Sequence, residues 1–251
     1  MSILVVQLAP AGMLFGADRN ITTDLKLSSG QMTTVLSAQT ERPKVLKWPN
    51  HEVIVGYVGQ AELDERPADE WLYGFIGRHL HFRNLQEVAD ALTADLNVLL
   101  PDFSDEPMIL HLGGFEKVEE QWTPRVYYIR NTIDIQHTVG AKFECSDEIP
   151  KYFPAKLGHQ IQDALAWPEY FSFRQGIRLD LFNTIDMALR TATSAFIGAK
   201  LIPTPESLDQ LRNHVKFQVH GYGAYFASFY PPLKQFVGGG ADVVTAAWPS
   251  S

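Results

Sequence analysis

Met1-Ser2-Ile3-Leu4-Val5-Val6-Gln7-Leu8, then Ala9-Pro10-Ala11-Gly12, then Met13-Leu14-Phe15-Gly16-Ala17-Asp18-Arg19-Asn20: how these residues are read decides the fold of the chain. Ser2 to Leu8 is an almost unbroken β-branched and apolar run, too short for a buried helix, and it stops where Pro10 and Gly12 punctuate the backbone. That composition predicts a strand and a turn. Met13 to Ala17 is a second apolar run, closed by Asp18-Arg19-Asn20, so the two runs read as a hairpin. If Ala9 is opposite Gly12, opposed residues carry numbers that sum to 21, and Asp18 returns beside Ile3 and Ser2. Opposed residues of an antiparallel pair sit roughly 5 Å apart. This register therefore brings a carboxylate to the beginning of the chain, and a slip of one residue would turn it to the other face.

The beginning carries chemistry of its own. Met1 precedes a small residue, the context in which processing enzymes remove an initiator methionine, and its removal would leave Ser2 with a free α-amine. An α-amino group has an ordinary pKa of about 7.7 to 8.0. Near neutral pH it can take the proton of its own residue's hydroxyl, directly or through one water, so a single residue supplies nucleophile and base.

Composition narrows the function classes. The chain has 251 residues, 45% hydrophobic and 20% charged, which suits one large core, and a single domain over 1–251 is expected, with a loose tail from about 237. No run of eighteen apolar residues suggests a membrane span, and no basic region precedes an apolar stretch at the amino terminus, so a cytoplasmic protein is expected. One cysteine, Cys145, excludes an intrachain disulfide and a cysteine-only metal site. A net charge of −8 argues against binding a phosphate backbone, so nucleic acid is not an expected partner.

Along the chain, Gln31 to Leu36 reads as a third strand, Pro43 to Trp48 as a short extended segment, and Val53 to Gly59 as a buried strand ending in glycine. The period then changes. Trp71, Leu72, Phe75, Ile76, His79 and Leu80 recur at helical spacing, as do Leu85, Val88, Ala89, Leu92, Leu96 and Leu99 after Asn84 as a cap. Strands are predicted at Met108–Phe115, Arg125–Ile129 and Ile133–Gly140. A long helix follows from about Asp180, with a short one over Pro205–Arg212. Phe217–His220 and Ala224–Ala227 read as closing strands around Gly221-Tyr222-Gly223. Strands, two helices, strands, helices, strands is an α+β order that folds economically as two stacked antiparallel sheets with helices on both outer faces.

Four stretches together carry a resemblance: Ser2-Ile3-Leu4-Val5-Val6, Gly12 to Thr22 with Asp18 inside it, Lys44-Val45-Leu46-Lys47-Trp48, and Val55-Gly56-Tyr57-Val58-Gly59-Gln60-Ala61. They resemble proteasome β-type subunits, including the bacterial ring protease worked by a separate ATPase and the ancestral β-type subunits. The resemblance covers about the first quarter of the chain. It implies an N-terminal nucleophile hydrolase fold with four layers, α-β-β-α, and a threonine-protease-like peptidase that cleaves peptide or amide bonds through an acyl-enzyme. It further implies Ser2 as nucleophile, Asp18 as its acidic partner, Lys44 as the catalytic lysine and a backbone N–H at Gly59 for the oxyanion. Self-association into rings or ring-like multimers follows from the same likeness, with peptide or unfolded protein as substrate, an unidentified unfoldase as possible partner, and no cofactor or metal. An insertion separates Asp18 from Lys44, so Lys44 is identified by its Lys-Val-Leu-Lys-Trp context. In Thr138-Val139-Gly140-Ala141 the family's Gly-Ser is Gly140-Ala141, and its later Asp and Ser have no clear counterpart before Gly221. Those losses support the alternative expectation of a catalytically silent or weakly active ring or scaffold subunit.

Other constellations are weaker. His79 and His81 diverge on a helix. Cys145, without an elbow or glycine context, reads as structural against a thiol nucleophile with His137 or His159. Glu62, Asp64, Glu65, Asp69 and Glu70 read as a solvated helix entry, and Tyr170, Phe171 and Phe173 as an exposed contact patch.

Overall fold

The β-branched run and its apolar echo form the expected hairpin: β1 (Ile3–Ala9) and β2 (Gly12–Asp18) pair from Leu4 opposite Ala17 to Ala9 opposite Gly12. A computed structural model describes residues 3–21, 40–99, 107–133, 138–154, 156–165, 171–176, 179–229 and 239–250. After the hairpin come β3 (Asn20–Ile21), β4 (Thr40–Glu41), β5 (Val45–Lys47), β6 (Val53–Gly59), β7 (Glu62–Leu63) and β8 (Arg66–Pro67). Next are α1 (Ala68–Arg78), α2 (Leu85–Leu99), β9 (Met108–Val118), β10 (Gln121–Thr132) and β11 (Val139–Asp147). The chain continues through α3 (Ile149–Tyr152), α4 (His159–Ala164), β12 (Phe171–Gly176), α5 (Leu179–Gly198), α6 (Leu208–Phe229) and β13 (Ala241–Ala247). The two main sheets are antiparallel, with strand orders β12-β1-β2-β13 and β11-β10-β9-β6-β5.

Alternation along these strands builds three apolar seams, and the seams define four layers. Leu4, Val6 and Leu8 of β1, with Met13 and Phe15 of β2, meet Ile54, Val58, Ile109 and Val126 of the facing sheet. The opposite faces of the first two strands, Ile3, Val5 and Leu14, lie against Ile185 of α5 and Leu211, Val215, Val219 and Tyr222 of α6. On the far side, Val55, Tyr57, Leu110, Leu112 and Tyr127 take Trp71, Leu72 and Phe75 of α1 and Val88, Leu92 and Leu96 of α2. The architecture is therefore the expected αββα stack, with β1, β2 and β6 buried on both faces. Close approach of the sheets depends on Gly113, where a Cβ would come within 2.6 Å of the Met13 sulfur and 2.8 Å of the Phe15 ring.

Several expectations need correction. The helix α6 replaces the short helix and the two closing strands expected over 205–227, because Leu211, Val215, Val219 and Tyr222 form a buried stripe at a spacing of three to four. Aromatic and β-branched residues with Gly221 and Gly223 favour strand locally, and burial against the sheet overrides that preference. The strand expected at Ile133–Gly140 is displaced: β10 ends at Thr132 and the next strand is Val139–Asp147. It is an edge strand with Lys142 and Glu144 turned to solvent, so its apolar signal is thin; Asn97 of α2 holds it by accepting the Phe143 N–H at 2.7 Å and donating to the Phe143 carbonyl at 3.2 Å. The loose tail expected from about 237 contains β13, paired along β2 from Ala241 opposite Asp18 to Ala247 opposite Gly12. Of the contact patch expected at Tyr170, Phe171 and Phe173, the two phenylalanines lie on β12, paired with β1, and Tyr170 lies outside the described residues. The third strand expected at Gln31–Leu36 lies outside the described residues.

Candidate functional site

Asp18 and Lys44 meet where the two sheets face each other. Asp18 ends β2, flanked by β1 and by Ala241 of β13, and Lys44 immediately precedes β5, the edge strand of the other sheet. The Lys44 ammonium donates to Asp18 Oδ2 at 3.0 Å and to the main-chain carbonyl of Asn20. The second carboxylate oxygen, Oδ1, accepts the N–H of Ile3 at 2.7 Å. Side-chain exposure is 2% for Lys44 and 1% for Asp18, so water supports neither charge. Burial pushes the Asp18 carboxyl above its ordinary pKa and the Lys44 ammonium below its own, while their mutual attraction offsets part of both shifts.

The carboxylate thus grips the first strand through the peptide that follows Ser2. Ser2 itself lies outside the described residues. Gly59 ends β6, the strand beside Lys44, two residues beyond Tyr57, whose N–H donates to the Lys44 carbonyl at 3.0 Å. The Gly59 φ of +104° belongs to glycine, and a Cβ there would lie 2.0 Å from the Pro107 carbonyl oxygen. Beside it, Met108 donates its N–H to the buried side chain of Asn131 at 2.7 Å. Gly140 and Ala141 lie on β11, at the opposite edge of the five-stranded sheet from Lys44. Four strand spacings of about 4.8 Å put that edge roughly 19 Å away, so Ala141 does not flank the ion pair.

Three residues of this neighbourhood escaped the sequence. Asn20 contributes its carbonyl to Lys44, a main-chain role that no side-chain pattern announces. Asp69, expected on a solvated helix entry, is buried and binds Arg42 through two oxygens at 2.7 and 3.1 Å. Tyr57 sits by pattern in an apolar strand, and its hydroxyl lies 3.4 Å from the Pro43 carbonyl. The only signal for the Arg42–Asp69 pair was a basic residue two before Lys44 and an acid at the start of a helix. Cys145 is half-buried against the α2 seam, and burial pushes its thiol up to about 11, which keeps it protonated and unreactive near neutral pH. His79 stacks on Phe75 at 4.3 Å and closes α1.

No family model matches this chain, and no curated protein matches it. Among solved structures it is similar to an Anbu (Gly-1) mutant from Hyphomicrobium sp. strain MC1, with 12% identity and a TM-score of 0.49, covering 98% of this chain and 82% of that one.

Proposed function

We propose that the chain is a proteasome-like N-terminal nucleophile hydrolase that cleaves peptide or amide bonds through Ser2 after loss of Met1. The observation that carries this reading is the Asp18 carboxylate, which holds the Ile3 amide with one oxygen and the Lys44 ammonium with the other in a site closed to water. A buried cation next to the first residues of a chain has no structural need that an apolar pair would not meet as well; it has a chemical use beside a hydroxyl that must lose a proton. In the reaction, the Ser2 hydroxyl oxygen forms a bond to the substrate carbonyl carbon while its proton passes to the Ser2 α-amine. The Lys44 charge favours the alkoxide, and Asp18 keeps that charge in position. The oxyanion takes a hydrogen bond from the Gly59 N–H, a contact worth about 2.7 to 4 kcal/mol. The α-amine then gives its proton to the leaving amine as the C–N bond breaks, and water hydrolyses the ester to return Ser2.

A peptide epoxyketone tests this reading, since its two electrophilic centres close a ring only with a hydroxyl and an amine on one residue. Mass spectrometry should locate the adduct on the first peptide of protein lacking Met1, and Ser2→Ala should abolish it. Absence of an adduct in processed wild type with a panel of such electrophiles favours the second reading, a silent ring or scaffold subunit, for which the lack of a clear counterpart to the family's later Asp and Ser speaks. Under either reading we propose self-association in the cytoplasm. The exposed Phe196, Leu201 and Phe217 on the α5 and α6 layer support it, and a 28.2 kDa monomer by light scattering at micromolar concentration would contradict it.

A further inference from the structure

We propose that Asp69 is a positioning residue for Lys44, acting through Arg42; this rests on the hydrolase reading above. Regular pairing begins only at Val45, so residues 42–44 owe their course to tertiary contacts. The Arg42 guanidinium is held edge-on by both Asp69 oxygens, a two-pronged geometry that fixes direction as well as distance. Asp69 stands in the first turn of α1, and the Tyr57 hydroxyl lies 3.4 Å from the Pro43 carbonyl. The Tyr57 N–H then holds the Lys44 carbonyl at 3.0 Å, and the Arg42 N–H is bonded to the Arg19 carbonyl at 3.0 Å, one residue from Asp18. Arg42 is therefore tied to the start of α1 on one side and to the Asp18 strand on the other, while Pro43 and Lys44 are tied to Tyr57 of β6. Burial pushes the Tyr57 hydroxyl above its ordinary pKa, so it remains a neutral donor throughout the working range.

The function of such a clamp lies in the freedom it removes. Lys44 reaches Asp18 on a long flexible stem, and only a fixed Cα keeps the ammonium on Asp18 and the Asn20 carbonyl rather than turned toward water. Glu70 also touches Arg42, at 2.5 Å, but from an exposed position where solvent screens it. Asp69 is the partner that directs the guanidinium.

The test reads Lys44 directly. Full-length wild type, Asp69→Ala, Asp69→Asn, Arg42→Met and Glu70→Ala are reductively methylated with formaldehyde and cyanoborohydride, and modification of each lysine is followed by peptide mass spectrometry. The exposed Lys117 and Lys142 serve as internal references. Lys44 should be protected in wild type and Glu70→Ala, and should react at least about tenfold faster in Asp69→Ala and Arg42→Met, the size expected for losing a charge-assisted hydrogen bond. Asp69→Asn keeps the shape and one hydrogen bond and should fall between, so the measurement survives if the alanine variant does not fold. In parallel, the pH profile of Ser2 labelling should shift its alkaline limb upward in Asp69→Asn, as a better hydrated Lys44 regains its ordinary pKa; loss of packing alone would lower the rate without moving the profile. Lys44 protection unchanged in both Asp69 variants overturns the positioning role. No Ser2 adduct in wild type overturns the hydrolase reading instead, and the two failures are read on different residues.

Discussion

At the residue scale, the Asp18–Lys44 pair and His111 make opposite demands on pH and mutation. Removing one partner of a buried pair leaves a stranded charge, so Lys44→Met should destabilise the protein by about 3 to 5 kcal/mol at neutral pH, and the double change Lys44→Met with Asp18→Asn should recover part of that loss. Urea unfolding of the four members of the cycle checks it; additive losses would mean that the two groups do not act as a pair. His111 lies on β9 within the inter-sheet seam, stacked on Tyr128 at 4.9 Å, and burial pushes its imidazole down to about 3. A folded pKa below the unfolded value near 6.5 means that the unfolded chain binds the proton first. Stability from this group is complete above about pH 6.5 and drains away as pH falls toward 3, by up to roughly 4 to 5 kcal/mol. Melts across that range should show this slope in wild type and a shallower one in His111→Gln.

At the element scale, α6 offers a clean discrimination between helix and strand. Phe217 and Val219 would share a face in a strand, whereas the helix buries Val219 and leaves Phe217 56% exposed. Val219→Ala removes two buried carbons facing Val5 and Leu14 and should cost about 2 kcal/mol. Phe217→Ala should stay within about 0.5 kcal/mol, as surface changes do; equal losses at both positions would contradict the helix. Sequence reading succeeded for elements with a strong single period. Val53–Gly59 is legible to the residue, and α2 starts after its cap Asn84, whose side chain accepts the Glu87 N–H at 2.9 Å. It missed β11 and β13, whose strand character comes from partners: Asn97 for one, and for the other β2, Lys47 and Glu52.

At the scale of the whole molecule, β13 locks the two sheets together. It pairs with β2 in one sheet, while Lys47 of the other donates to the Thr245 carbonyl at 3.1 Å and Glu52 accepts the Ala247 N–H at 2.8 Å. Trp248 then packs on Phe115 at 4.9 Å over the end of the inter-sheet seam. Deleting residues 241–251 would open the β2 edge beside Asp18 and uncover apolar surface. The expected outcome is loss of a cooperative melt and binding of a hydrophobic dye; a truncated protein that still melts sharply would show that the strand is dispensable.

The hairpin register was legible in the sequence from its turn: Pro10 and Gly12 place a two-residue turn between Ala9 and Gly12, and that fixes which residues of the two apolar runs oppose each other. The sequence by itself also determined the strand and helix order that stacks into αββα, and the two side chains that become the buried ion pair. Only the tertiary structure decided which local preferences would be overruled, as in α6, where burial against β1 and β2 outweighed strand-forming residues. It alone also decided that Asp69 and Arg42 would meet 27 positions apart. The physical reason is the same for both. Periodicity records which face of an element is apolar, whereas a hydrogen bond between distant polar side chains is set by where the packed layers bring them.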